Sequence, residues 1–172
     1  KRQSELAKLN EDQSFASGLG RAAALVEWDN HAGEIHFGGT ARELAGKNTT
    51  LAAMWAKGTD GTCSCRTGGD EICRVFTGDD GTPYEVVGRF DEKKLYEVEV
   101  CGLDAKGGVT SIYDYLASRH AMKSDRATVL NLRDGQAPQG MDGAVKFATN
   151  SGKVFAYLFP GASGYSVTWR HE

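Results

Sequence analysis

Glycine occurs 22 times and proline three times in the 172 residues. A chain punctuated so often by a residue that tolerates left-handed backbone folds as short regular elements joined by tight turns, not as long helices or a low-complexity linker. Hydrophobic residues make up 40% of it, enough for a single domain of this size to bury roughly two thirds of the surface its unfolded form exposes. We expect one domain over residues 1–172. It begins at Lys1 with neither an initiator methionine nor a signal-like apolar stretch, and reads as excised from a longer protein. No apolar run approaches the ~18 residues a membrane span needs, so direct membrane insertion is not expected. A formal net charge of −3 provides no basic field for nucleic-acid phosphates.

Periodicity outlines the elements. Leu6, Leu9, Phe15, Leu19 and Ala22 to Ala24 share a helical stripe over 3–24, and the apolar run Ala24-Leu25-Val26-Glu27-Trp28-Asp29 predicts a first, buried strand. Thr40 with Glu43 three residues on predicts a capped helix, and Leu51 to Ala56 a second helical patch. Ser64 to Thr77 reads as a hairpin turning at Gly68-Gly69-Asp70-Glu71. Thr82-Pro83-Tyr84-Glu85 has the form of a helix start, predicting a helix over 83–94. Tyr96 to Val100 and Val109 to Leu116 are β-rich, Asp142 to Thr149 returns to helical spacing, and Val154 to Phe159 with Tyr165 to Trp169 predicts a closing hairpin. The fold class expected is α/β, an α+β sandwich with one sheet covered by helices.

Chemistry-bearing residues are sparse. Cys63, Cys65, Cys73 and Cys101 allow three disulfide pairings in an oxidising compartment. Their spacing lacks the paired two-residue gaps of a structural zinc site, and the reading preferred here is that they are small buried hydrophobes on a strand. His31 and His36 stand five apart, not a same-face helical step, while His120 and His171 belong to no constellation. Trp28, Trp55 and Trp169 read as core or interface anchors, and Asp91-Glu92-Lys93-Lys94 as a solvated helix end. There is no Ser-His-Asp set and no Walker loop.

Several landmarks fall in a familiar order. Leu6, Leu9, Phe15 and Leu19, then Glu27-Trp28-Asp29, then Arg66-Thr67-Gly68-Gly69-Asp70-Glu71-Ile72, then Val109-Thr110-Ser111-Ile112, and finally Met141-Asp142 through Gly152-Lys153 together resemble the GGDEF family of diguanylate-cyclase-like domains. The resemblance implies a nucleotidyl-cyclase-like palm, a central, mostly antiparallel sheet flanked by helices, with a C-terminal hairpin. It also implies condensation of two GTP molecules across a homodimer. Asp70 and Glu71 would be the catalytic acids, Gly68, Gly69 and Lys153 would lie against nucleotide, and Glu27 and Asp70 would hold Mg2+, since a transferring phosphoryl group needs metal and acids around it.

The chain also departs from that pattern. Glu27 stands where the family has Asp, Ile35 and Leu44 fall at the base-reading positions, Thr149 replaces a phosphate-binding Lys, and Thr59 and Thr62 occupy the inhibitory motif. Isoleucine and leucine cannot hydrogen-bond a base edge. The function expected is therefore a degenerate GGDEF-like module with condensation lost. It would be regulatory or protein-interacting, contacting other domains, a protein partner or a second copy, and would be cytoplasmic, alone or within a membrane-anchored protein. A weakly active metal-dependent cyclase or other nucleotide-processing enzyme is the alternative. An extracytoplasmic sensor or pilin-like domain with two disulfides is another.

Overall fold

The computed structural model describes residues 5–7, 21–79, 81–103, 109–134, 144–161 and 164–172. Among these residues, eight strands form one antiparallel sheet: β1 (Thr59–Asp60), β2 (Glu71–Thr77), β3 (Pro83–Asp91), β4 (Lys94–Leu103), β5 (Ala121–Met122), β6 (Val145–Ala148), β7 (Val154–Gly161) and β8 (Gly164–His171). Their order across the sheet is β1-β2-β3-β4-β8-β7-β6-β5. Among the described residues, helices α1 (Ala24–Asn30), α2 (Thr50–Ala56), α3 (Val109–Arg119) and α4 (Arg126–Arg133) accompany them. The class is thus α+β, with an antiparallel sheet and a few helices.

Strand alternation gives the sheet two unlike faces. Phe76, Val86, Val98, Val100, Val167, Trp169, Ala156, Leu158, Val145 and Phe147 belong to the main core, together with Leu25 and Trp28 of α1, Leu51 of α2, Ile112 and Leu116 of α3 and Leu132 of α4. Trp28 meets Phe76 edge-on at 5.4 Å and donates its indole N–H to the Tyr84 hydroxyl at 2.9 Å. The alternate positions of β2, β3, β4 and β8, among them Glu71, Glu85, Arg89, Glu97, Glu99, Thr168 and Arg170, carry the polar face.

Several sequence-based expectations are confirmed. Strand 96–100 lies inside β4, helical patch 51–56 inside α2, and the closing hairpin is β7–β8. The expected helix at Thr40 is a single 3-10 turn, Ala41–Glu43, with the Thr40 hydroxyl 3.3 Å from Glu43. Of the expected helix 3–24, residues 5–7 are helical and Arg21–Ala23 form a 3-10 turn, while the stripe positions Leu9, Phe15 and Leu19 lie outside the described residues.

Four elements differ. Residues 24–29 are helical, not a strand, because Leu25, Val26, Trp28 and Asp29 are buried around a short element whose continuous apolar run serves either geometry. Residues 83–91 are strand β3, not a helix: Glu85, Val87 and Arg89 alternate with Val86, Gly88 and Phe90, and pairing on both sides outweighs the helix-start signal. Gly88 suits the strand, since a Cβ there would stand 2.8 Å from Leu44 Cδ1. Residues 109–119 are helix α3, not a strand, because Val109, Ile112 and Leu116 bury at a helical period despite their β-rich composition. Strand β6 replaces the helix expected at 142–149; Val145 and Phe147 point into the core with Lys146 between them, while Met141 to Gly143 lie outside the described residues. The hairpin expected within 64–77 is also corrected, since β2 pairs with β1 and β3, and residues 64–67 form no strand.

Candidate functional site

The Gly68–Glu71 segment enters β2 through a bend in which Gly68 takes φ +88°, a backbone region that favours glycine. Glu71 turns inward. Its carboxylate accepts from the backbone N–H of Thr67 at 3.0 Å, from that of Gly68 at 2.9 Å and from Arg89 Nε at 3.0 Å, and its side chain has no solvent exposure. Burial alone would push the Glu71 carboxyl up, but those two amides and the guanidinium outweigh it and hold it below the ordinary glutamate range. Arg89 also donates Nη1 to Glu97 at 2.7 Å, pairs through Nη2 with Glu99 at 2.7 Å, and gives Nη2 to the Cys65 carbonyl at 2.9 Å. Burial opposes the charge on Arg89, while Glu99 and Glu97 hold its proton more firmly than usual.

Asp70 faces solvent and lines a cleft of about 640 Å³ with Thr40, Arg42, Ile72, Phe90 and Lys93. Glu27 is exposed on α1 beside Tyr84, whose hydroxyl is pushed up by burial, opposed by the Trp28 hydrogen bond and helped by Glu27. Tyr84 pairs with Phe76 and Arg89 with Glu71, so Glu27 and the Asp70–Glu71 bend stand at opposite ends of the β2–β3 hairpin, about five residues or ~17 Å apart along the strand. Lys153 is exposed in the turn between β6 and β7. Four inter-strand steps separate β7 from β2, ~19 Å across the sheet. The fold therefore brings Asp70 and Glu71 together with Gly68 and Gly69, and places Glu27 and Lys153 elsewhere.

Disulfides join Cys63 to Cys73 and Cys65 to Cys101, and no free cysteine remains. Of the four expected as small buried groups on a strand, Cys73 lies on β2 and Cys101 on β4, and the pairing is one of the three the sequence allows. The alternation that suggested a strand instead places Cys63 and Cys65 in the loop over the polar face, one sulfur reaching β2 and the other β4. Among the described residues, one group of three metal-ligating types lies within 4.8 Å: Cys65, Glu85 and Cys101. Both its sulfurs are disulfide-bonded, which removes the thiolates a metal would need.

A second polar centre carries no signal in the sequence. The buried Asp29 carboxylate accepts from Trp169 Nε1 at 3.1 Å, the Tyr115 hydroxyl at 3.2 Å and His120 Nε2 at 2.7 Å. The carboxylate assigns the ring proton to Nε2, and His120 Nδ1 is buried without a hydrogen-bond partner. Beside the pair lies a cleft of about 200 Å³ bordered by Glu34, Thr149, Asn150 and Ser151. Trp169 and His120 lie 140 and 91 residues from Asp29, so no local spacing could have linked them.

No family model, curated protein or solved structure matches the chain.

Proposed function

We infer that the chain is a non-catalytic recognition module, clamped by two disulfides, that works in an oxidising compartment and does not condense GTP. The observation that carries this reading is the state of Glu71. A catalytic or metal-holding carboxylate must keep lone pairs for its ligand, whereas Glu71 spends its own on two backbone amides and Arg89. The Mg2+ pair expected from Glu27 and Asp70 gains no support from their placement at opposite ends of a hairpin. The two disulfides favour the extracytoplasmic alternative over the cytoplasmic one, since such bonds persist where thiols are not kept reduced. The GGDEF-like palm is likewise not favoured, because the segments matched to its first strand and last helix are α1 and, in part, β6.

Two measurements test the reading. Thiol titration of the denatured, unreduced protein is expected to find no reactive thiol; four would overturn the oxidising-compartment assignment. Incubation with GTP and Mg2+ is expected to yield no cyclic di-GMP. Product that disappears in Asp70→Ala would establish the enzymatic alternative.

A further inference from the structure

The Asp29 centre borders a cleft of only about 200 Å³, whereas the cleft beside Asp70 is larger and opens to solvent. Its volume of about 640 Å³ falls within the range of small-molecule sites. Ile72 and Phe90 provide apolar surface, Thr40 and Arg42 come from the 3-10 turn, and Lys93 comes from the β3–β4 connection. The apolar residues offer a purine no hydrogen-bonding group. Charge is set by Arg42 and Lys93 against Asp70, because Glu71, though it borders the cleft, is engaged by Arg89.

The backbone at Lys93 is the second observation. Asp91 pairs with Lys94, so Glu92 and Lys93 alone make the turn, at φ +50° and +66°. Two left-handed residues in a two-residue hairpin loop are usually Asn-Gly. Here a lysine is held in a conformation costly for any L side chain, and it lines the cleft. The two-residue loop fixes Lys93 in that conformation and so sets its position at the wall of the cleft.

We propose that this cleft binds an amphipathic anion, its apolar body against Ile72 and Phe90 and its acidic group held by Arg42 and Lys93. The inference deepens the recognition-module reading and rests on it. The test is a fluorescence titration of the oxidised chain with 1-anilinonaphthalene-8-sulfonate, with uncharged N-phenyl-1-naphthylamine as control. Saturable binding at one site is expected, at least tenfold weaker for the uncharged probe and at least tenfold weaker in Lys93→Glu. Asp70→Asn, which removes the opposing charge, is expected to tighten binding two- to threefold. The double variant Glu92→Asn, Lys93→Gly keeps the turn and relieves it, so it is expected to weaken binding while raising Tm. Equal affinity of the wild type and Lys93→Glu, or no saturable binding by a protein with a normal melting transition, would overturn the proposal. Thiol titration and the cyclic di-GMP assay report on the broader reading separately, since neither depends on Arg42 or Lys93.

Discussion

At Arg89 one buried cation faces three carboxylates, Glu71, Glu97 and Glu99, whereas at Asp29 one buried carboxylate faces three donors, from Trp169, Tyr115 and His120. The first centre ties the Gly68 bend and the Cys65 carbonyl to the polar face; the second ties α1 and the end of α3 to β8. Remove the central group and the two respond differently. Without Arg89, three carboxylates stand together with no buried cation between them: Glu99 loses its guanidinium partner, while Glu97 keeps Arg170 at 3.3 Å and Glu71 keeps two backbone amides. Without Asp29, the remaining partners are an indole, a phenol and an imidazole, and no cluster of like charges is left behind. A buried charge is critical in proportion to the charges that depend on it.

The largest expected effect is therefore Arg89→Met, which should lower the unfolding free energy by about 3–5 kcal/mol in a urea titration. Adding Glu97→Leu and Glu99→Leu should recover much of that loss, because like-sized apolar groups can replace a buried ionic cluster. If the triple variant is no better than the single one, the deficit comes from lost packing and not from stranded carboxylates. Next in size is the clamp: Cys65→Ser with Cys101→Ser should cost about 2–4 kcal/mol. Hydrogen exchange should rise across 61–71 while the amides of α1 and α3 stay protected. Asp29→Asn keeps one acceptor and the shape of the site, and should cost about 1–3 kcal/mol, less than Arg89→Met. The reverse order would break the comparison. In the opposite direction, Glu92→Asn with Lys93→Gly should gain about 1 kcal/mol by relieving two left-handed L residues.

The smallest effect is set by pH. Glu71 is held below the ordinary glutamate range in the fold, so its contribution is fully present above the unfolded-state pKa and is lost as pH falls through the lowered folded value. Stability measured by thermal unfolding should decline on acidification below ~4.3, the unperturbed glutamate value, and Glu71→Gln should flatten that part of the profile. An unchanged slope in Glu71→Gln would assign the acid sensitivity to other carboxylates.

What could be read from the chain was what local pattern encodes. The β7–β8 hairpin alternates over enough residues, around a Pro-Gly-rich turn, to leave one interpretation. The α2 patch was equally plain, and Thr49 completes it by accepting from the Ala52 N–H at 3.0 Å. Residues 24–29, 83–94 and 109–116 differ from their expected elements because short apolar or β-branched runs suit helix and strand alike, and long-range burial decides between them. Helix α4 carries only a weak signal although Asp125 caps it, accepting from the Thr128 N–H at 2.8 Å, because its buried stripe is only Val129 and Leu132. Glu71 stands in a turn whose sequence points to catalytic acids, and in the fold its carboxylate accepts from two backbone amides and Arg89. Arg89 stands 18 residues away with no motif around it.

By itself the sequence determined the closing hairpin around its Pro-Gly-rich turn, the strand at 96–100 and the helical patch at 51–56, and that four cysteines admitted three pairings, because turn chemistry and alternation act over a few residues. Only the tertiary structure decided that the sulfurs pair 63 with 73 and 65 with 101, that Glu71 closes on Arg89, and that Asp29 meets His120 and Trp169. Those outcomes depend on which distant groups are excluded from water together, and burial of that kind is a property of the whole packed chain.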